Sequence, residues 1–222
     1  MKYDLHIHTK YSPCSTLKPH ILLKPAIKKG LDGIAVADHN TIKGSLAVKK
    51  LNKNKDFEVI VGEEIKTDKG EILAYYLTEE IEPGNFEEVL EKIKQQNALA
   101  VIAHPFTVGI TRKKTKINFS KIKNKIDGIE TFNARNIFNH SNKKAELLAK
   151  KLNLAQIAGS DAHFAFEIQR AVTIFDGALR KAIKNKNTRT QGTNFLAFPI
   201  RSLSVFPKLR SFLNFNTINK IF

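Results

Sequence analysis

Short apolar segments alternate with amphipathic segments along roughly the first 185 residues of the chain. The apolar segments, such as DGIAVA and ALAVIA, are rich in Ile, Val and Ala and have the length of buried strands. The segments between them, such as NFEEVLEKIKQQN and KKAELLAKKLN, repeat apolar residues at the spacing of a helix. This alternation predicts an α/β fold with a mainly parallel sheet and helical crossovers, either a closed barrel or a doubly wound open sheet.

The pattern predicts a single domain, because no linker or internal repeat divides the chain. We expect that domain to span residues 1–222, with a core over about 1–185 and a C-terminal segment, 186–222, that packs on it. The Phe-rich basic stretch 195–222 most simply covers one end of a barrel, although such a stretch can also stack bases. The predicted strands are KYDLHI, DGIAVA, FEVIVGEEI, EILAYYL, ALAVIA, DGIETF and LAQIAG.

Polar side chains follow these strands at the point where each strand ends. In the first strand, His6 and His8 alternate onto one face, with Asp4 one step behind them. Because the carboxyl ends of parallel strands meet on one face of a barrel, this placement favours a barrel over an open sheet. The strand-end residues are His6, His8, Asp38, His39, Glu63, Glu64, His104, Glu130, Asp161 and His163.

Five of the seven histidines belong to this set, whereas His20 and His140 lie in helix-like segments and are expected at the surface. Imidazole and carboxylate groups bind divalent ions such as Zn, Mn and Fe. The set contains more potential ligands than one ion can coordinate, so it predicts two or three ions bridged by a carboxylate. The alternative is that these residues are buried polar side chains that hydrogen-bond to one another. Ions about 3.5 to 4 Å apart suit phosphoester hydrolysis, because one activates water while its neighbour stabilises charge on phosphate.

Five motifs in order, DLHIHTKYS, VADHN, GEEI, AHP and GSDAH, resemble the PHP superfamily, named for its polymerase and histidinol-phosphatase members. The resemblance covers residues 1 to about 185. It implies a distorted (β/α)7 TIM-like barrel, with the metal site at the carboxyl ends of the strands. It also implies a metal-dependent phosphoesterase, a hydrolase with two or three ions of Mn, Fe or Zn.

The resemblance further implies a ligand set that several ions share. Glu64 is preferred over Glu63 as the shared ligand, because the family's glutamate commonly precedes an Ile-like residue and Ile65 fits. The implied ligands are His6, His8, Glu64 and Asp161 at the first ion, Glu64 and His104 at the second, and His39 and His163 at the third.

Two positions depart from the family's pattern. The loop after the strand histidines usually gives the third ion a further His or Asp. Here the nearest candidates are Cys14 and Ser12. Cys14 could bind as a thiolate or remain a buried thiol. A second-site histidine, often found between the glutamate and the AHP motif, is missing. Glu71 or Glu130, which lies at the end of its strand, could replace this histidine as a ligand. The alternative for Glu71 is a carboxylate that faces solvent.

Other polar residues are candidates for substrate binding and proton transfer. Arg135 is expected to bind phosphate, because a planar guanidinium can take two phosphate oxygens at once, and a surface salt bridge is the alternative. Asn133 in the same loop is a second substrate-binding candidate. Asp38, which we group with the catalytic residues, is expected to orient a ligating histidine. His39 or His163 could protonate the leaving alkoxide if it is not committed to metal.

Composition adds a strong charge bias. The chain has 37 Lys and Arg against 21 Asp and Glu, a formal net charge of +16, which favours anionic partners such as a phosphorylated small molecule or nucleic acid. The basic residues are scattered, so a solubilising surface is the alternative interpretation. The single cysteine fits a reducing compartment, and no apolar run reaches the roughly 18 residues of a membrane helix. We expect a soluble cytoplasmic protein without membrane contact, of undetermined oligomeric state.

Taken together, the residues favour hydrolysis of a phosphate monoester of a small molecule, such as a nucleotide or nucleoside bisphosphate. Histidinol phosphate is a narrower alternative. A 5′-to-3′ exonuclease on short RNA or DNA is a second hypothesis, which the basic charge supports. A non-catalytic nucleic-acid-binding barrel is a third, but it predicts eroded metal motifs, and these motifs are largely intact.

Overall fold

The computed structural model describes residues 1–107 and 115–194. Within those ranges, nine strands form one sheet. The Phe-rich stretch 195–222 lies outside the described residues. The strands are β1 Lys2–Ile7, β2 Gly33–His39, β3 Glu58–Lys66, β4 Glu71–Tyr75, β5 Leu99–Ile102, β6 Gly128–Asn133, β7 Ala155–Gly159, β8 Ala171–Phe175 and β9 Thr188–Gly192. The helices are α1 Pro19–Lys28, α2 Lys43–Leu51, α3 Phe86–Gln95, α4 Phe119–Ile122, α5 Asn139–Leu152 and α6 Leu179–Lys184, with a 3₁₀ turn at Ala165–Glu167.

The sheet curls into a nearly closed barrel, which confirms the predicted fold class. Its strand order is β7-β6-β5-β4-β3-β2-β1-β8-β9, so β7 lies at one end of the order and β1 near the other. A seam joins them at their carboxyl ends, where His8 N donates to Ala162 O at 2.9 Å and Ala162 N donates to His6 O at 3.3 Å. Gly159 makes the close approach possible, because a Cβ there would lie 2.2 Å from the Cβ of His6.

In the described ranges, the sheet has nine strands where seven were predicted, and four of its eight strand pairs are antiparallel where a mainly parallel sheet was expected. The runs β1-β2-β3 and β5-β6-β7 are parallel, but β4 is antiparallel to both neighbours. Only residues 67–70 join β3 to β4, where Thr67 N and Oγ1 both donate to Gly70 O, and a parallel crossover needs a dozen or more residues. The strands β8 and β9 were not predicted. The strand β8 pairs antiparallel with β1, and β9 pairs antiparallel with β8. The sheet therefore extends to Gly192, beyond the expected core boundary near 185.

Apolar side chains fill the barrel below the carboxyl ends of the strands. Leu73, Tyr75 and Phe175 are buried there, and the hydroxyl of Tyr75 donates to Leu5 O at 2.9 Å. Separate apolar clusters pack the helices against the outside of the sheet, as Phe86 of α3 does. The side chain of Asn85 caps the start of helix α3, because its Oδ1 accepts hydrogen bonds from two backbone N–H groups of the first turn. This packing leaves the polar strand ends as the upper layer of the barrel.

Candidate metal centre

Four side chains, from residues in or just beyond three strands, converge on one point at the carboxyl end of the barrel. The Nε2 atoms of His6 and His8 are 3.1 Å apart, and Glu64 Oε2 lies 3.3 Å from each of them. Asp161 Oδ1 lies 3.2 Å from His8 Nε2 and 3.9 Å from His6 Nε2. All four side chains are fully buried. These are the residues that the family resemblance implies for a first ion.

The environment of the Glu64 carboxylate shows whether these residues could bind a cation. Its Oε2 is buried and accepts no hydrogen bond from the residues that the structure describes. Burial alone would raise the pKa of Glu64, but the neighbouring His39 and His6 hold it well below its ordinary value, so the carboxyl is charged. A buried carboxylate oxygen without a donor is costly. A divalent cation among the imidazoles would compensate that charge, so the donor set fits a metal.

A second group of donors lies on the other oxygen of Glu64. His104 Nε2 is 2.7 Å from Glu64 Oε1 and 3.6 Å from Glu71 Oε2. His39, Glu64 and Glu71 can also place one ligand atom each within 4.8 Å of one another. Glu71 comes from β4, the strand that the short hairpin turns back toward the site, and its side chain is 26% exposed. Of the two predicted replacements for the missing histidine, Glu71 is the one that reaches this position.

Glu130 has a different place from the one expected of a ligand. Its Oε1 accepts from His6 Nδ1 at 2.8 Å, and its Oε2 accepts from His104 N at 2.8 Å. It lies behind His6 and belongs to none of the metal-sized groups among the described residues. A carboxylate in this position fixes the tautomer and the ring orientation of a ligating histidine. The contact supports a positioning role for Glu130 instead of direct coordination.

Asn133 is also a positioning residue where a phosphate contact was predicted. Its Nδ2 donates to Asp161 Oδ2 at 3.1 Å and to both oxygens of Glu130 at 3.2 Å. The side chain is fully buried beneath the cluster. One amide therefore holds two carboxylates in place.

The third corner of the cluster contains His39 and Cys14. Together with His8 they can place three ligand atoms within 4.8 Å of one another. His163, the other residue implied for a third ion, has its ring 4.6 Å from that of His8, and its Nδ1 donates to Asp161 O at 2.7 Å. Burial and the nearby Arg135 lower the pKa of His163 well below its ordinary value, which leaves the imidazole neutral.

Asp38 acts on this corner through hydroxyl groups. Its Oδ1 accepts from Thr9 N at 2.6 Å and from Ser12 Oγ at 2.7 Å, and its Oδ2 accepts from Thr9 Oγ1 at 2.6 Å. Ser12 Oγ in turn lies 3.1 Å from His8 Nδ1 and accepts from His39 N. The predicted link from Asp38 to a histidine therefore runs through Ser12. Sequence analysis gave no role to Thr9, although its place directly after the H-x-H pair was a usable signal.

Arg135 does not face the cluster as a phosphate-binding residue would. It is 4% exposed, and its Nη1 lies 2.8 and 3.1 Å from the two oxygens of Glu167. Glu167 Oε2 also accepts from the backbone N–H groups of His163 and Phe164, at 2.7 and 2.9 Å. The pair anchors the loop that carries His163. Glu167 was missed because it lies in a short 3₁₀ turn and shares no motif with its partner.

The remaining predictions concern residues outside the cluster. Glu63 points to the outer face of β3, where its Oε2 accepts from Ile81 N at 3.1 Å, so its neighbour Glu64 is the one in the site. Asp4 leaves the histidine face and accepts from the backbone N–H groups of Ser160 and Gln169. His20 and His140 are exposed on α1 and α5, as expected.

Sequence comparisons match the chain to a family profile and to a relative of known sequence. Residues 139–188 match the family profile described as PHP-associated. The uncharacterized protein MJ1587 of Methanocaldococcus jannaschii is 43% identical over 145 residues, which cover 60% of this chain and 82% of that protein.

Solved structures that share the fold include two examples of different description. One is a two-domain protein of Bacteroides vulgatus, described as containing a predicted PHP-like metal-dependent phosphoesterase. It matches with a TM-score of 0.74 and 19% identity, over 87% of this chain and 65% of that chain. The other is the lesion-specific endonuclease PfuEndoQ of Pyrococcus furiosus, with a TM-score of 0.60 and 21% identity, over 82% of this chain and 55% of that chain.

Fold and site together define an α/β barrel whose histidine and carboxylate cluster is suited to divalent metals. The chain belongs to the PHP superfamily. Among the described residues, no helix combines the length and the apolar character needed to cross a membrane.

Proposed function

We propose that the protein is a metal-dependent phosphoesterase that hydrolyses a phosphate monoester of a small molecule, such as a nucleotide or nucleoside bisphosphate. The observation that carries the proposal is the buried Glu64 Oε2, which faces the imidazoles of His6, His8 and His39 at 3.1–3.3 Å. The description of the Bacteroides vulgatus neighbour as containing a predicted PHP-like phosphoesterase supports the same chemistry. A monoester is favoured because its terminal phosphate presents three non-bridging oxygens to a cluster of several ions.

The ligand set divides into positions that share Glu64. His6, His8 and Asp161 would hold one ion with Glu64 Oε2. His104 and Glu71 would hold a second with Glu64 Oε1. When bound, such ions activate water and stabilise charge on the phosphate oxygens.

The chain's own residues supply positioning and proton control. Glu130 holds the Nδ1 proton of His6, so the Nε2 lone pair of His6 points into the cluster. Asn133 fixes Asp161 in the same way through its amide. His39 is the candidate for proton transfer to the leaving alkoxide in a two-ion centre, whereas the neutral His163, whose Nδ1 proton is held by Asp161 O, would serve as a ligand. In a three-ion centre both histidines would serve as ligands.

The first test combines metal analysis with a substrate panel. Protein purified without chelator is analysed for Mn, Fe and Zn, and phosphate release is followed on small monoesters, histidinol phosphate and a short oligonucleotide. We expect at least two equivalents of metal, with activity lost when His6→Ala and His8→Ala are combined. His20→Ala, an exposed histidine outside the cluster, is the matched control and should keep both metal and activity. Absence of metal and of turnover after added Mn would refute the proposal.

A nuclease is the second candidate, because the formal net charge of +16 suits a polyanion and the neighbour PfuEndoQ is described as an endonuclease. Phosphate contacts make polyanion binding strongly salt-dependent. Cleavage of the oligonucleotide should therefore fall steeply between about 50 and 200 mM salt, while turnover of a small monoester changes little. Equal salt dependence for both substrates would argue against the nuclease.

A further inference from the structure

An exposed pair of aromatic rings lies where the chain enters α5. Phe138 directly precedes the helix and is 57% exposed, as much as any large apolar residue in the described ranges. Its ring stacks on that of His140, with 5.7 Å between the ring centroids and 26° between the planes. His140 is itself exposed. The pair therefore presents to solvent an aromatic surface that takes no part in the core of the barrel.

Hydrogen bonds fix the position of this pair relative to the metal cluster. Asn142 of α5 accepts from Asn133 N at 3.1 Å through its Oδ1, and its Nδ2 donates to Asn133 O at 3.3 Å. Asn133 is also the residue whose amide donates to Asp161 Oδ2. Buried amides thus connect the first ion position with the start of α5. Phe138 lies between Asn133 and Asn142 in the sequence, so both ends of its segment are held.

A second set of contacts joins the pair to the loop that carries His104. Asn136 donates through Nδ2 to Asn142 Oδ1 at 2.5 Å, and its Oδ1 accepts from the hydroxyl of Thr107. Thr107 N donates to His104 O at 3.0 Å. Asn136 and Asn142 are buried, whereas Phe138 between them is exposed. The ring is therefore displayed on a fixed rim of the site.

The same rim carries an unpaired positive charge. Lys144 lies one turn after His140 on the same face of α5, and its Nζ is 4.6 Å from the centroid of the Phe106 ring. Phe106 follows His104 closely in the sequence. Among the residues that the structure describes, Lys144 pairs with no acid. We call Phe138, His140, Lys144 and Phe106 the α5 rim, a strip of rings and positive charge beside the metal cluster.

We propose that the α5 rim binds the nucleobase of a nucleotide, with the base stacked on Phe138 while a phosphate of the same molecule lies at the metal cluster. The inference rests on the proposed function, because it names the part of the substrate that carries the scissile ester. Aromatic rings interleaved with basic side chains form the kind of surface on which bases stack. Lys144 adds a charge for a further phosphate, such as the second phosphate of a nucleoside bisphosphate.

The flat, exposed ring of Phe138 favours a base over other leaving groups. A purine or pyrimidine has a flat face that covers the ring, whereas an aliphatic or sugar alcohol has none. A sugar phosphate reaches the metal cluster equally well but leaves Phe138 in contact with water. The α5 rim therefore selects nucleotides from the wider class of phosphate monoesters.

Substrates with and without a base test the inference. Phosphate release is measured from adenosine 5′-phosphate, adenosine 3′,5′-bisphosphate and ribose 5-phosphate, which has the sugar but no base. Phe138→Ala should lower kcat/KM about 5- to 100-fold for the adenosine phosphates and less than about twofold for ribose 5-phosphate. Leu147→Ala is the matched control and should change neither rate. Leu147 is also 57% exposed, and it lies about two turns beyond His140 on the same helix.

The outcomes separate this inference from the proposed function. An equal effect of Phe138→Ala on all the substrates, or a wild-type preference for ribose 5-phosphate, would overturn the base site and leave the phosphoesterase in place. A wild-type protein that releases phosphate from no ester, even with added Mn, would overturn both.

Fluorescence provides a measurement that does not depend on catalysis. The chain has no tryptophan, so Phe138→Trp introduces a single reporter into the full chain. Adenosine 5′-phosphate should quench this reporter saturably and ribose 5-phosphate should not, since only the base stacks on the indole. Leu147→Trp should respond to neither compound. A Phe138→Trp protein that responds to neither, or equally to both, would overturn the inference.

The same reporter identifies the source of the base and any other occupant of the α5 rim. Saturation by a short oligoadenylate at a much lower concentration than by adenosine 5′-phosphate would identify a strand as the source, and similar concentrations would identify a mononucleotide. Asn194, the last described residue, donates to Asn136 O at 3.0 Å, so residues 195–222 continue from a point beside the rim. If they occupied the rim, acrylamide would fail to quench the Phe138→Trp protein in the absence of nucleotide. That result would overturn the inference, whereas we expect ready quenching that adenosine 5′-phosphate reduces.

Discussion

At the scale of single residues, adjacent glutamates on β3 have opposite environments. Glu64 faces the imidazole cluster, and its pKa is held below the ordinary value. Glu63 faces the outer side of the strand, where burial, with a smaller contribution from nearby acids, raises its pKa to about 8. Both side chains are fully buried, so only the face of the strand distinguishes them. Substitutions of Glu63 and Glu64 can therefore serve as controls for each other.

Glu64→Gln should lower metal affinity at least about 100-fold, because it removes the charge that two positions share. Glu63→Gln changes the neighbouring residue in the same way and should leave affinity within about twofold of wild type. Equilibrium competition against a metal chelator measures both. Equal losses from the two variants would contradict the assignment of Glu64 as the shared ligand.

Glu63 also predicts a pH dependence of stability. Its pKa is about 8 in the folded protein against an ordinary value of 4.5, so the folded state keeps a proton that the unfolded state loses. The free energy of unfolding contributed by Glu63 therefore falls as pH rises from about 4.5 to about 8. Glu63→Gln should abolish that fall and raise the free energy of unfolding at about pH 9 by at least about 1 kcal/mol relative to wild type. Urea unfolding at about pH 5 and about pH 9 tests this, and parallel pH profiles for both proteins would refute it.

At the scale of elements, apolar runs revealed the seven strands β1 to β7 because each of them is mostly buried. The strand β9 gave no such signal, since TRTQG is polar and largely exposed and is held by backbone pairing with β8. The sequence pattern also could not predict the register shift in β1 between Asp4 and Ile7. It puts Leu5 inside the barrel and Ile7 outside, and it separates Asp4 from the histidines. Strict alternation therefore placed His6 and His8 correctly and Asp4 wrongly.

The site could be predicted where one residue ends one strand, as for His104 and Asp161. It could not be predicted where function depends on a partner distant in sequence, as Arg135 depends on Glu167. An exposed arginine and a buried, paired arginine look alike in sequence. The same limit applies to Asn133, whose role follows only from the two carboxylates that it touches.

The helix α2 packs against the loop that carries the site, and Gly44 is the contact. A Cβ at this position would lie 1.8 Å from Asp38 Oδ2 and 2.4 Å from Thr9 Oγ1. Gly44→Ala should therefore lower the free energy of unfolding by about 1–3 kcal/mol and weaken metal binding by displacing Asp38. Gly84→Ala is the control, because a Cβ there meets nothing within 4 Å. Thermal melts and chelator competition measure the effects, and a Gly44→Ala protein that matches this control would contradict the packing argument.

At the scale of the whole molecule, the cluster joins strands that are distant in sequence. Glu64 of β3 lies beside His6 of β1 and beside His8, which follows that strand, and Asp161 follows β7. A cation bound by all of them stabilises the folded barrel by mass action, because the unfolded chain lacks the assembled site. Metal binding should therefore increase resistance to heat.

Removal of metal should lower the melting temperature of the wild-type protein by several degrees, since about 1 kcal/mol corresponds to about 2–4 °C in a chain of this size. Differential scanning calorimetry with and without chelator measures the shift. Glu64→Gln should melt at the same temperature in both conditions. A chelator effect of equal size in that variant would mean that the stabilising metal binds elsewhere.

The seam between β1 and the segment after β7 has a consequence for how the protein is made. His6 and His8 leave the ribosome before Asp161 and the Ala162 bridge that closes the barrel, which follow more than 150 residues later. Contacts of such long sequence separation form slowly, because the chain between them must be ordered first. During synthesis the two histidines are therefore present without Asp161, and the complete site can assemble only after translation has passed Ala162.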